Sequence, residues 1–198
     1  MSKIFYLMGK SASGKDTIYK KIKERLPELK TIVIYTTRPI RSNEKEGVDY
    51  HFVDENGLHE LQESGKVIEY REYNTVHGIW TYFTVDDGQF DADVDYIAIG
   101  TLESYKKLKE YFGEGRVIPI YVEVEDGLRL ERALARERAQ ENPKYEEMCR
   151  RFLADTADFS PEKLKEVGIT HKYFNVNMDK CVEEIILGIQ ENLCYTES

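Results

Sequence analysis

A chain of 198 residues can bury one substantial core, and 41% hydrophobic with 33% charged residues excludes a disordered segment. A formal net charge of -9 and a pI near 5.1 make it a poor general binder of nucleic acid or of an anionic membrane, so phosphates would need a local group of cations. The cysteines Cys149, Cys181 and Cys194 are far apart and form no CxxC pair, which argues against a disulfide framework or a zinc site and for a reducing cytoplasm.

Ile4 to Met8 is a short apolar run ending at Gly9 and reads as a buried strand. It is too short for a signal peptide, and no later stretch approaches a membrane span. Ile18, Tyr19, Ile22 and Leu26 have helical spacing, which predicts a helix from Lys15 to Leu26 closed by Pro27. The β-branched run Thr31 to Tyr35 predicts a second strand, residues 38–50 a polar loop, and Asn56 to Ser64 a short helix with Gly65 past its end. Lys66 to Phe83 predicts antiparallel strands with a turn near Asn74 or Gly78. After a surface connection rich in aspartate, Tyr96 to Ile99 is a buried strand, Leu102 to Phe112 a helix and Arg116 to Val124 a strand. Gly127 to about Phe152 reads as two charged helices hinged at Asn142-Pro143. Ser160-Pro161-Glu162 starts a short helix, Tyr173 to Val176 is the last strand, and Asp179 to Asn192 a final amphipathic helix. Strands alternating with helices around a β-rich middle predict an α/β fold: a parallel sheet flanked by helices, with a small antiparallel subdomain.

Residues 9–17 read GKSASGKDT, and Gly9 with Gly14-Lys15 fits G-x-x-x-x-G-K between a strand and a helix, the P-loop NTPase context. The glycines allow a tight turn, so that the amides of Ser11, Ala12, Ser13 and Gly14 point at phosphates, while Lys15 supplies full positive charge. The usual magnesium-binding hydroxyl is replaced by Asp16, followed by Thr17. A carboxylate suits Mg2+, bound directly or through water, and would repel phosphate without the metal. The four histidines, His51, His59, His77 and His171, show no metal-ligand spacing.

Residues 36–53, TTRPIRSNEKEGVDYHFV, carry Arg38, Arg41 and Tyr50. Two guanidinium forks and a phenol can hold one dianionic phosphate. This string resembles the guanylate kinase family pattern TTRxPRxGExxGxDYxF, displaced by one residue at the proline, and the likeness extends over nearly the whole chain. The resemblance implies that Arg38, Arg41 and Tyr50 bind the phosphate of GMP and that Glu69 accepts hydrogen bonds from guanine N1 and N2. It also implies that Arg132, Arg136 and Arg151 belong to an arginine-rich lid over ATP, and that Asn177 lies near adenine. Lys15, Arg136 and Arg151 would then be the catalytic cations.

Four departures from the family pattern, over five positions, matter. Asp16 replaces the hydroxyl, Ile34 a base-contacting serine, and Gly100 a strand-end aspartate, while His77 and Ile79 stand where the family has a tyrosine and a base-reading hydroxyl. Thr81 could substitute for that hydroxyl, and Trp80 and Tyr82 could stack on a base. The changes fall on base recognition and metal handling and leave the phosphate grips intact.

The expected activity is therefore phosphoryl transfer from ATP to GMP with Mg2+, in a cytoplasmic monomer or homodimer. Other readings are a non-catalytic guanylate-kinase-like protein-binding module and a P-loop kinase for another deoxynucleotide or small phosphate ester. Residues 1–35, 94–126 and 164–198 would form the core, 36–93 the monophosphate-binding region and 127–160 the lid.

Overall fold

The computed structural model describes residues 2–75 and 78–194. Its centre is β1 (Ile4–Gly9), whose six residues are all buried. A continuous apolar run is what a strand needs when helices cover both of its faces. β1 pairs in parallel with β7 (Tyr96–Ile99) and β8 (Val117–Glu123), while β2 (Lys30–Thr31) and β9 (Tyr173–Phe174) complete the order β2-β7-β1-β8-β9.

Alternate β1 side chains feed two cores, as strand geometry requires. Phe5 and Leu7 pack on Ile18 and Ile22 of α1 (Lys15–Arg25) and on Cys181, Val182 and Ile185 of α7 (Met178–Cys194). Tyr6 and Met8 face Leu102, Tyr105 and Leu108 of α3 (Leu102–Phe112) and Leu164 of α6 (Pro161–Glu166). The caps explain several helix starts: Thr101 and Ser104 form a capping box at α3, and Ser160 accepts from Lys163 N–H at α6.

The expected single strand over residues 31–35 is divided between two sheets. Thr31 ends β2 in the parallel sheet, and Tyr35 opens β3 (Tyr35–Thr36) in a second sheet. Between them the Gln89 side chain replaces a strand partner: its Oε1 accepts Val33 N–H at 3.1 Å and its Nε2 donates to Val33 C=O at 3.4 Å. The second sheet has the order β4-β3-β6-β5. Here β4 is His51–Phe52, and β5 (Val67–Thr75) forms an antiparallel pair with β6 (Gly78–Val85). Before that pair lies α2 (Glu55–Glu63), capped by Asp54 and followed by Gly65 at φ 70°.

Two charged helices, α4 (Asp126–Arg138) and α5 (Tyr145–Asp158), flank Asn142-Pro143, and α5 runs past the expected end at Phe152. β9 stops two residues short of Val176, although Asn175 N–H still donates to Glu123 C=O at 2.9 Å. Among the described residues no helix is long and apolar enough to cross a membrane.

Candidate functional site

The chain leaves β1 at Gly9, turns through residues 10–14 and enters α1 at Lys15. Ala12 and Gly14 take positive φ values of 62° and 85°, and between them Ser13 N–H donates to Lys10 C=O at 3.1 Å. Gly9 cannot carry a side chain, because a Cβ would sit 2.8 Å from both Ser13 Oγ and Val122 O. At Gly14 a Cβ would meet Asn175 Nδ2 at 2.6 Å, and that amide donates to Ser13 C=O at 2.8 Å. Lys15 Nζ lies 3.1 Å from Asp16 Oδ1, and both Asp16 and Thr17 are exposed.

Ser11 N–H donates to Asp155 Oδ2 of α5 at 2.7 Å. A carboxylate thus occupies one of the amides expected to face phosphate. The same Asp155 oxygen is 3.4 Å from Arg129 Nη1, whose fully buried guanidinium stacks 4.0 Å over Phe152.

Arg136 and Arg151 border, with Ser11, a cavity of about 220 Å³ between α4 and α5. Arg151 Nε donates to Glu147 at 2.8 Å, and hydrogen bonds from Arg150 and Arg151 hold the Glu147 carboxyl down at about 2. Arg132 lies apart from that cavity's lining and donates to Asn175 C=O at 3.0 Å. Asn177 is exposed, and its side-chain oxygen accepts Lys180 N–H at the start of α7. The asparagine that touches the phosphate turn is Asn175, fully buried, which sequence reasoning missed. Two asparagines flank Val176, and no pattern in the sequence says which one turns inward.

A larger cavity, about 480 Å³, is bordered by Tyr19 and Lys20 of α1, by Tyr50 and by Arg71 and Thr84 of the second sheet. Arg38 is 3% exposed. Its Nη1 and Nη2 meet the Glu44 carboxylate at 3.0 and 2.8 Å, its Nε donates to Tyr82 Oη at 3.0 Å, and it sits 5.4 Å over the Tyr50 ring. Arg38 therefore fastens the loop, whereas Arg41 is exposed, with its backbone N–H donated to Glu44. Tyr82 is packed between Tyr50 and Tyr73 and is not a free stacking platform.

Glu69 is 5% exposed and does not border the cavity. Its oxygens accept from Thr84 Oγ1 at 2.7 Å and from Arg71 Nε at 3.1 Å. Burial works against the charge on Arg71 and Glu69 works for it, with the net effect that Arg71 stays above the ordinary arginine value. Thr81 is the wrong hydroxyl for this cavity: it pairs with Glu72, on the face of the hairpin opposite the one shared by Glu69, Arg71 and Thr84. His77 lies outside the described residues. Ile79 is 56% exposed. Ile34 and Ala98 present apolar wall, and the place of a side chain at Gly100 is filled by Tyr6, whose Oη donates to Ser104 Oγ at 2.7 Å. Burial pushes the Tyr6 phenol up to about 12.

Among the described residues no group of three or more His, Cys, Asp or Glu could hold a metal ion by itself. Magnesium needs no such cage, since it keeps water and substrate phosphates and takes one or two carboxylates. Asp16, exposed beside Lys15, fits that lesser role.

A glycine turn joining a central parallel strand to a helix, with arginine-bearing helices beside it, defines a P-loop NTPase fold. Residues 1–82 match the family model described as guanylate kinase. The guanylate kinase of Mycobacterium bovis is 38% identical over 78 residues, 39% of this chain and 36% of that protein. That of Oceanobacillus iheyensis is 32% identical over 122 residues, 60% of this chain and 57% of that protein. The aligned part of the chain thus spans about a third of the mycobacterial relative's length and just over half of the other. The crystal structure of guanylate kinase from Anaplasma phagocytophilum shares the fold, with a TM-score of 0.66 at 19% identity, over 96% of this chain and 85% of that one. Residues 1–82 are thus similar in sequence to guanylate kinases, and nearly the whole chain shares the guanylate kinase fold.

Proposed function

We propose that the protein is an ATP-dependent nucleoside monophosphate kinase whose acceptor is GMP, giving ADP and GDP. The observation that carries this reading is that the phosphate turn borders one cavity and its helix borders another. Ser11 borders one with Arg136 and Arg151, and Tyr19 and Lys20 border the other with Tyr50. ATP phosphates belong to the first side and the acceptor to the second.

In this reading an oxygen of the monophosphate attacks the γ-phosphorus in line. The new O–P bond forms as the bond to the β,γ-bridging oxygen breaks, and that oxygen leaves with the electron pair as part of ADP. The acceptor phosphate is ionised at neutral pH, so no general base is required. Catalysis is then positioning and charge neutralisation. The turn amides and Lys15 hold the β- and γ-phosphates, Arg136 and Arg151 approach the transferring group, and Arg41 with the Tyr50 phenol grips the acceptor phosphate. Arg38, anchored by Glu44, sets the shape of that loop. Magnesium, when bound, would neutralise phosphate charge, with Asp16 its protein ligand. Residues 127–160 act as the lid, and residues 36–93 as the acceptor region. Asp155 must yield Ser11 N–H when phosphate arrives.

The test is ADP formation from ATP with each of GMP, dGMP, AMP, CMP and UMP. GMP and dGMP turn over fastest, and Lys15→Ala abolishes turnover without moving the melting temperature, since the Lys15–Asp16 pair is an exposed one of little weight. ADP formed with no acceptor in the panel would sink the proposal.

A further inference from the structure

Within the acceptor cavity the polarity of the base-reading wall differs from the one that a carboxylate reader would supply. Both Glu69 oxygens already face protein donors, at 2.7 Å from Thr84 and 3.1 Å from Arg71. The residue of that cluster that borders the cavity with Thr84 is Arg71. The lining also includes the apolar Ile32, Ile34, Ala98 and Ile99 and the charged Lys20, Lys23, Glu24 and Asp49.

A guanidinium carries five N–H donors in a rigid plane. Glu69 takes the side edge of Arg71: Nε stands 3.1 Å from Oε2, and Nη2 3.5 Å from Oε1. The end edge, Nη1 with the second N–H of Nη2, is a separate fork. Among the described residues Nη1 donates to no acceptor. Glu69 therefore orients the group and keeps it charged without using up its recognition edge.

We propose that Arg71, rather than Glu69, reads the acceptor base, and that it does so through guanine O6 and N7. This rests on the nucleotide-kinase reading above and specifies it. Guanine's N1–H and N2–H groups are donors, and a guanidinium set against them leaves both sides unpaired. The O6/N7 edge offers two adjacent acceptors spaced for the fork, the same pairing by which arginine reads guanine in nucleic acids. Adenine offers N7 beside an amino donor on that edge and is rejected. Cytosine O2 and N3 are the other adjacent acceptor pair, so CMP is the informative competitor.

The nucleotide series uses the wild-type chain, so folding is not at issue in it, and one variant at Arg71 follows. ADP formation is measured with GMP, inosine monophosphate, 7-deaza-GMP, CMP and AMP, and binding of each is measured by calorimetry without ATP. Inosine monophosphate keeps O6 and N7 and lacks the N2 amine, so its kcat/KM and affinity stay within about threefold of GMP. Loss of N7 in 7-deaza-GMP weakens both by about tenfold. Arg71→Gln lowers GMP affinity roughly 5- to 150-fold and leaves AMP binding where it was. A tenfold or greater preference for GMP over inosine monophosphate would hand the base back to Glu69 and overturn the proposal. Tighter binding of CMP than GMP would overturn the assignment to guanine. Should no acceptor yield ADP while the calorimetric order holds, the phosphotransfer reading fails and the base assignment stands.

Discussion

Placing a single methyl group at Gly100 tests whether Tyr6 fills the space beside this strand end. In Gly100→Ala the new Cβ would lie 2.0 Å from Tyr6 Oη, 2.8 Å from Tyr6 Cζ and 3.1 Å from Ser104 Oγ. Tyr6 cannot retreat easily: it is 4% exposed, packed against Tyr105, and tethered by its 2.7 Å bond to Ser104. Gly100 itself has no positive φ, so the backbone tolerates alanine and the clash is the whole effect. Forced overpacking of this kind costs about 1–3 kcal/mol. For a domain of this size that is a fall in Tm of about 2–12 °C. Thermal and urea unfolding of four proteins measure it: wild type, Gly100→Ala, Tyr6→Leu and the double variant. Leucine ends short of the collision, so in the Tyr6→Leu background Gly100→Ala costs under about 0.5 kcal/mol, and the two changes are strongly non-additive. A Gly100→Ala protein melting within about 1 °C of wild type would refute the claim that Tyr6 holds this space.

Glu147, held down at about 2 by Arg150 and Arg151, contributes stability that is present above its ordinary 4.5 and lost as pH falls toward 2. Acid unfolding followed by circular dichroism should be shallower between those pH values in Glu147→Gln, by a small margin because the group is largely exposed to solvent screening. Burial pushes the Cys181 thiol up to about 11, whereas Cys149 and Cys194 are exposed. Ellman's reagent should therefore react promptly with two thiols of the native protein and with the third only in denaturant, and prompt reaction of all three would contradict the packing of α7.

The parts of the site legible in the linear chain are those made of neighbouring residues. GKSASGK announces its turn because the glycine positions and the flanking strand and helix are all within one short segment. The helices after Glu125 and Ser160 were legible for the same reason, from charge pattern, proline and caps. Arg71 was not legible. In the linear chain it is one more charge in a strand of alternating polarity, and only the pairing of Glu69 with Thr84 and of Arg71 with Tyr82 brings these groups onto one face. Asp155, 144 residues from Ser11, and Asn175, 162 residues from Ser13, are invisible to any local pattern.

Short-range chemistry was thus sufficient for the α/β architecture, the phosphate turn and most element boundaries, because turns, caps and hydrophobic periods act over a few residues. It did not extend to the division of residues 31–35 between two sheets, which depends on the distant amide of Gln89. Nor did it reach the wall of the larger cavity. Which of Glu69 and Arg71 faces the open space is decided by cross-strand register and by who neutralises whom once both are buried, and those are properties of the packed chain alone.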